Sequence, residues 1–356
     1  MPITAGSDAL ASDFVSTSAG AGDSGKVPKL NASGVLDKTF YPVIKFGDSS
    51  DGALVYDGST TILGMAPSSS IYTLTRNIQA TDLTINGGVT IKTNGYVIFA
   101  SGTLLNNGII KNIGGDGGAG GNTGSAPIQG TAGAATPAGF LLGGIDGVVG
   151  GSNNGIALAN YFGSVGVAGG SSNSGSQCGG SHAGGSAGTG SAETGSVVFT
   201  PINALTDGSV VLGVISAMAY SSTNQFRLSA STGSGSGATG GVDFGNGHQG
   251  GGGGSGATGG VIEIIAKTIT NNGTISANGG AGGRGGDAGS GAAGGGGGGG
   301  GSGGVIVLIY KALTAGTITA TGGAGGGGGT GAGGNCNNGS AGATGNAGKI
   351  YKMQLD

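Results

Sequence analysis

The composition of this 356-residue chain excludes a conventional globular core and a nucleic-acid partner. Glycine accounts for 93 residues, charged residues for 8% and aromatic residues for 5%, with no Trp and a formal net charge of −3. A globular core needs more large side chains than this, and no basic stripe is present to hold a nucleic acid. Collagen is disfavoured because the chain has only 7 Pro. We expect an ordered chain rather than a disordered one, since charge is low and Val, Ile and Leu recur beside each glycine run.

Residues 1–50 differ from the rest of the chain, because they carry charge, Pro and Ser/Thr but few glycine clusters. They predict an extended arm that becomes ordered against a partner. The first fifteen residues have no basic region followed by a continuous apolar region, so we expect no secretory signal. The most apolar stretch, residues 210–220, is too short to span a bilayer, and we expect no membrane insertion.

Residues 51–113 predict short β-strands. Apolar residues come in alternating pairs separated by Asn-Gly or Ser-Gly turns: Leu83 and Ile85, Val89 and Ile91, Val97 and Phe99. Such a pattern fits either tight hairpins or successive turns of a β-helix. We favour a β-helix-like coil or a compact β-sandwich, whose strand edges the next coil or a neighbouring subunit would cover.

Three stretches in this first third of the chain resemble bacteriophage virion proteins, especially the subunits of tail fibres and other appendages. They are GAGDSGKVPKLNASGVLD at residues 20–37, FGDSSDGALV at residues 46–55, and the glycine-punctuated stretch at residues 83–121. The resemblance implies a virion protein made in the host cytoplasm. It also implies that residues 1–50 dock on other virion subunits.

From residue 114 to residue 356 glycine dominates, often with a period of three. The series include Gly115, Gly118 and Gly121; Gly280, Gly283, Gly286 and Gly289; Gly322, Gly325, Gly328 and Gly331; and Gly339, Gly342, Gly345 and Gly348. A period of three matches a polyproline-II-type helix, which has no internal hydrogen bonds. Such helices would have to bond to one another, with glycine faces in contact because a Cβ there would hold the backbones apart. We therefore predict a polyglycine-II bundle.

Two similar copies of an apolar segment alternate with these glycine runs. The copy that begins at Val305 repeats the one at Val261, and both read as strands that are apolar on both faces, which is typical of a buried sheet. A repeat of this length suits a stacked unit. Lys267 and Lys311 occupy equivalent places and are expected to be solvated edge residues that discourage aggregation.

Three segments interrupt the glycine pattern, at residues 136–162, 197–230 and 242–249. The alternation of glycine motifs with such segments resembles the receptor-binding adhesins at the tips of T-even-type long tail fibres. The motifs that carry the resemblance are GGAGGRGGDAG at residues 279–289 and GGAGGGGGTGAGG at residues 322–334. In that family a polyglycine-II sandwich carries variable surface loops that touch the host receptor.

Side chains in or beside these segments are the candidate receptor-binding residues, because function concentrates on loops held by a rigid scaffold. Aromatic rings anchor interfaces and stack on sugars. The candidates are Tyr161, Phe162, Tyr220, Phe226, Phe244 and His248. The alternative for each aromatic ring is packing in a small core beneath its loop.

The sequence offers no catalytic or metal-binding constellation. His182 and His248 have no Asp, Glu or Cys at triad or metal-ligand spacing, and nucleotide-binding and protease motifs are missing. We therefore expect neither an enzyme nor a cofactor. Cys178 and Cys336 lie far apart in the sequence and are expected to be unpaired.

The sequence thus favours a phage tail-fibre or adhesin subunit that binds a host surface glycan or an outer-membrane protein. One alternative is a purely structural fibre that decorates the head or tail. A second is an ice-binding protein, because glycine-rich antifreeze proteins also build polyglycine-II bundles. The resemblance to fibrous virion proteins implies a homo-oligomer, with a trimer favoured, whereas the resemblance to the T-even-type adhesin implies a monomer that caps its fibre.

Overall fold

The computed structural model describes residues 14–15, 27–28, 46–122, 127–141, 143–144, 146–150, 249–289, 291–332 and 336–355. These residues contain β-strands and no α-helix, which confirms the expected all-β class. The strands are β1 (Phe14–Val15), β2 (Val27–Pro28), β3 (Gly52–Tyr56), β4 (Ile71–Thr73), β5 (Ile78–Ile85), β6 (Thr90–Lys92), β7 (Ile98–Asn106), β8 (Ile109–Lys111), β9 (Gly121–Asn122), β10 (Pro127–Ile128), β11 (Val261–Asn271), β12 (Thr274–Ser276), β13 (Val305–Thr314), β14 (Thr317–Thr319) and β15 (Lys349–Gln354).

Six parallel strands form the larger sheet, in the order β15-β13-β11-β7-β5-β3. The two copies of the sequence repeat lie side by side in it, with Val261 paired to Val305 and Ile265 paired to Ile309. Residues 261–265 and 305–309 are buried throughout, and apart from Glu263 they are apolar. The prediction that both copies lie in a buried sheet is confirmed.

Five parallel strands form the smaller sheet, in the order β14-β12-β8-β6-β4. Strands of the smaller sheet alternate along the chain with longer strands of the larger sheet. Thus β6 follows β5, β8 follows β7, β12 follows β11, and β14 follows β13. Because β5 pairs with β7 and β6 pairs with β8 in parallel, tight hairpins are excluded for this region. The chain therefore winds repeatedly from one sheet to the other.

The main apolar core lies between the two sheets. Residues of equivalent strands stack in register along it, as with Ile91, Ile110 and Ile275 of the smaller sheet, which are fully buried. Each such side chain contributes roughly 1.5–3 kcal/mol when it leaves water. The parallel register thus converts a repeated apolar position in the sequence into one continuous core.

Strands that precede and follow residue 113 belong to the same two sheets. In the larger sheet β7 pairs with β11, and in the smaller sheet β8 pairs with β12. A buried amide contact reinforces this junction, since Asn106 Nδ2 donates to Asn271 Oδ1 at 2.7 Å and Asn271 Nδ2 donates to the Thr317 carbonyl oxygen at 3.2 Å. These bonds satisfy polar groups that would otherwise be costly to bury.

The two ends of the paired sheets differ. At the first end, residues 57–70 connect β3 to β4, and Ile62 and Met65 of this connection are buried in the main core. At the last end, β15 has no counterpart in the smaller sheet, and Ile350 is 39% exposed. The connection thus closes the apolar core at the first end, and within the described residues β3 and β15 each pair with only one neighbour as the edge strands of the larger sheet.

The glycine segments run beside one another and are joined by backbone hydrogen bonds that recur at every third residue. Amides three residues apart in one segment donate to the same neighbour, as with Gly253, Gly256 and Gly259, which donate to Gly296, Gly299 and Ser302. The amides one position further along donate to a different neighbour, as with Gly254, Ala257 and Gly260, which donate to Gly118, Gly115 and Asn112. The segments therefore satisfy their backbone groups through one another rather than internally.

Two side-chain predictions are corrected in this region. Lys267 and Lys311 are exposed as expected, but β11 and β13 are interior strands of the larger sheet, so neither lysine guards an edge. Cys336 is disulfide-bonded, and the expectation of an unpaired thiol was wrong. Its partner lies outside the described residues.

Candidate functional site

All six predicted receptor-binding residues, Tyr161, Phe162, Tyr220, Phe226, Phe244 and His248, lie outside the described residues. The same is true of the whole segment 197–230. The segment 136–162 is described only within residues 136–150, and the segment 242–249 only at Gln249. The described part of this region is therefore residues 136–150 and Gln249, which flank residues 151–248 and are called the root below.

The first interrupting segment is anchored on the turn between β6 and β7. The amide of Leu141 donates to the carbonyl oxygen of Gly95 at 2.7 Å, and the Leu141 side chain is buried against Val97 and Val261. Gly95 has a φ of +76°, and a Cβ there would lie 2.6 Å from the backbone nitrogen of Gly139. Residues 139–141 are thus held in a fixed position against this turn.

The same segment then returns along the glycine region. The amides of Gly147 and Gly150 donate to the carbonyl oxygens of Gly133 and Gly130, each at 2.8 Å. Gly130 in turn donates to Gly252 at 2.8 Å. Residue 150 therefore lies next to the segment in which the described chain resumes at Gln249, and the two ends of residues 151–248 are close together.

A groove of about 540 Å³ opens beside this root. It lies where the carboxyl ends of three smaller-sheet strands meet the first glycine segment. The residues that line it are Thr73, Lys92, Asn94, Lys111, Asn112, Ile113, Gly114, Gly115, Asp116, Ala134, Ala135, Thr136 and Pro137. This volume falls in the range of small-ligand sites.

Two lysines dominate the electrostatics of the groove. Lys92 ends β6, Lys111 ends β8, and the two are paired in the parallel register of the smaller sheet. Because paired residues of neighbouring strands point to the same face, both ammonium groups leave the sheet on the side that carries the groove. Like charges placed directly opposite each other repel.

The carboxylate in the groove is held by the backbone rather than by these lysines. Asp116 Oδ1 accepts a hydrogen bond of 2.7 Å from the amide of Ala281. Nearby, Asp146 Oδ1 accepts one of 2.7 Å from the amide of Ala135. In the described ranges the ion pairs join Arg76 to Asp51 and Arg284 to Asp287, and neither lysine takes part in them.

The larger sheet buries a carboxyl group on the face away from the main core. Glu263 of β11 is 2% exposed, and in the part of the chain that the structure describes its Oε1 has no hydrogen-bond partner. Burial raises its pKa to about 7. The residue paired with it on β13 is Val307, so the apolar face is interrupted at one position.

The described ranges contain no group of three or more His, Cys, Asp or Glu residues placed to hold a metal ion. They also contain no helix long and apolar enough to cross a membrane.

Sequence reasoning missed the lysine pair. The signal was the similarity of Thr90-Ile91-Lys92 to Ile109-Ile110-Lys111, which becomes informative once the two triplets are known to pair in parallel. No family model, curated protein or solved structure matches the chain.

Proposed function

We propose that this chain is a phage virion protein, a tail-fibre or adhesin subunit, that binds the host cell surface through segments carried on a glycine-rich scaffold. The observation that carries the proposal is the closeness of the two ends of residues 151–248. Gly150 and Gly252 are both bonded to Gly130, so the described residues that flank this long stretch of chain lie next to each other. Long insertions on rigid scaffolds commonly carry binding functions.

The scaffold itself is, in this proposal, a β-helix-like coil whose later coils return through a polyglycine-II bundle. The winding of the chain between two parallel sheets supports the first part. The donation of successive amides to different neighbours, each at a period of three, supports the second. The same combination of glycine bundle and interrupting segments is implied by the resemblance to T-even-type adhesins.

The proposal gives each part of the chain a role in the particle. Residues 1–50 dock on other virion subunits, and the protein assembles as a homo-oligomer, with three copies favoured. The binding target is a surface glycan or an outer-membrane protein of the host. The role is binding rather than catalysis.

Excision of residues 151–248 tests this function. We expect a variant in which a short Gly-Ser linker joins residue 150 to residue 249 to keep the scaffold, because the two ends already lie close together. Purified wild-type protein, fluorescently labelled, should bind host cells, and the excised variant should bind them far more weakly. Thermal unfolding of both proteins checks that the scaffold persists.

A second set of variants leaves the insertion in place. Alanine at Tyr161, Phe162, Tyr220, Phe226, Phe244 or His248 should weaken cell binding, and substitutions at the anchors should cost roughly 2 kcal/mol or more of binding free energy. If cell binding survives both the excision and all six substitutions, the adhesin function is wrong.

The open edge at β15 favours the alternative of a structural fibre that only assembles. An unpaired strand is a template for pairing with another chain, and Ile350 is exposed there. Density of the particle would then place β15 in a subunit contact and residues 151–248 away from the particle's outer surface. A thermal-hysteresis assay on the same purified protein tests the ice-binding alternative.

A further inference from the structure

We propose that the groove beside the root of the long insertion binds an acidic saccharide, whose anionic group is held between Lys92 and Lys111. The site belongs to the scaffold, and it adds a second contact to those expected from the insertion. It rests on the proposed function only for the origin of the ligand, a host surface glycan. Binding of the saccharide itself can be measured apart from host attachment.

The register of the smaller sheet provides the anion-binding element. Lys92 and Lys111 are paired on adjacent strands, and adjacent strands lie only about 4.8 Å apart. Because both side chains start from neighbouring backbones on one face, their ammonium groups can reach the same anion, which would relieve the repulsion between like charges placed opposite each other. Bonds from lysine to a carboxylate or phosphate are short and about twice as strong as neutral hydrogen bonds.

The described carboxylates leave these charges available. Asp116, which lines the same groove, is more than 4.0 Å from any cationic nitrogen of the two lysines, since the ion pairs within that distance among the described residues are Arg76–Asp51 and Arg284–Asp287. Its Oδ1 is already bonded to the Ala281 amide. The positive charge of the two lysines is therefore available to an external anion.

The remaining walls favour a saccharide over a free inorganic anion. A volume of about 540 Å³ is far larger than a phosphate or sulfate ion needs. Asn94 and Thr73 supply polar groups along the groove, while Ile113, which is 42% exposed, and Pro137 supply apolar surface. A sugar presents hydroxyl groups beside apolar ring carbons, so a groove that offers both polar groups and apolar surface suits it.

The backbone around the lysines is rigid enough to preserve this arrangement. Asn94 adopts a φ of +47° in the turn that follows Lys92. The amide of Thr93 donates to the carbonyl oxygen of Lys111 at 3.0 Å, which ties the ends of the two strands together. A preformed site loses less free energy on ordering when it binds its ligand.

Calorimetric titration of the full chain tests the site. The probes are trigalacturonic acid for a carboxylate, glucose 6-phosphate for a phosphate, and maltotriose as a neutral trisaccharide. One or both acidic probes should bind roughly tenfold more tightly than maltotriose, or better. The affinity of such a probe should fall as the salt concentration is raised. The probe that binds tells whether the anionic group is a carboxylate or a phosphate. If neither acidic probe binds more tightly than maltotriose, the inference is overturned.

Matched variants assign the binding to the lysine pair. Lys92→Gln and Lys111→Gln should each weaken binding of the acidic probe roughly tenfold or more and leave the unfolding temperature unchanged. Lys311→Gln, on an exposed position of the larger sheet, makes the same change in net charge and should bind as the wild type does. Wild-type affinity in both groove variants, or an equal loss in the control, overturns the assignment.

The outcome is separable from that of the proposed function. Loss of saccharide binding in the two groove variants establishes the site whether or not host-cell binding survives. Excision of residues 151–248 in the Lys92→Gln, Lys111→Gln background tests the adhesin function of the insertion without any contribution from the groove.

Discussion

Glycine serves different purposes in the two regions of this molecule. In residues 46–111, several glycines between strands adopt positive φ, as at Gly58, Gly64 and Gly88. The same region holds non-glycine residues at positive φ, such as Leu63 and Asn94. In the described part of residues 249–348, only Gly291 has a positive φ, although glycine is far more frequent there.

The difference shows what excludes a side chain in each region. A Cβ on Gly64 or Gly88 would meet nothing within 4 Å, so the backbone conformation alone requires glycine. A Cβ on Gly283 or Gly298 would overlap the carbonyl oxygen of Gly118 or Gly254, although the φ of each is ordinary. Turn positions such as Gly64 and Gly88 need glycine for their dihedral angles, whereas the second region needs it for close approach of backbones. Close approach also selects glycine at Gly108 of the first region, where a Cβ would overlap the carbonyl oxygen of Val89.

The largest effect is expected from a buried glycine of the second region. Gly298→Ala should lower the free energy of unfolding by more than about 3 kcal/mol, because the methyl group overlaps rigid backbone of a neighbouring segment. The hydrogen bond from Gly298 to Gly283, at 2.9 Å, would have to lengthen as the segments separate. Denaturant unfolding monitored by circular dichroism measures the loss.

A control for this substitution lies in the same region. Gly327 is exposed, has an ordinary φ, and would place a Cβ in open space. Gly327→Ala should therefore change stability by less than about 0.5 kcal/mol. If the two variants are equally destabilised, overlap of a Cβ with the neighbouring backbone is not the reason why this region requires glycine.

The sequence predicted those features that repeat locally. The period of three indicated which glycines would face a neighbouring backbone, and the repeat from Val261 to Val305 indicated two equivalent buried strands. The similarity of Asn106-Asn107-Gly108 to Asn271-Asn272-Gly273 also indicated that these two places are equivalent, and the structure pairs the strands there. The sequence did not indicate that β7 would be the direct neighbour of β11 in the sheet, because residues 107–260 separate the two strands. The lysine pair of the groove depends on a similar long-range register, between β6 and β8.

Glu263 provides a second test, because it breaks the apolar pattern of the second region. Its pKa is raised from 4.5 to about 7 by burial, so the folded state binds more protons than the unfolded state between these values. The contribution of Glu263 to stability should therefore be largest below about pH 4.5 and decline as pH rises to about 7, with a total loss of about 3 kcal/mol. Thermal unfolding across this range measures the decline.

Glu263→Val removes the titrating group and reproduces the residue paired with it, Val307. This variant should be more stable than the wild type above pH 7, by up to about 3 kcal/mol, and its stability should not decline between pH 4.5 and 7 on account of this site. Glu263→Gln separates charge from shape, since it removes the pH dependence but leaves a buried polar group. An unchanged pH profile in both variants would show that Glu263 is not buried as a lone carboxyl group.

The smallest effect is expected where dihedral angle alone requires glycine. Gly88, between β5 and β6, has a φ of +80° and open space around it, so Gly88→Ala should cost only about 1 kcal/mol, the strain of a left-handed residue. Gly88→Asn should cost less, because asparagine tolerates this conformation better than alanine does. Urea unfolding of both variants beside Gly298→Ala gives the comparison directly. A loss at Gly88 as large as that at Gly298, or one that asparagine does not reduce, would mean that crowding rather than φ selects glycine in the turns as well.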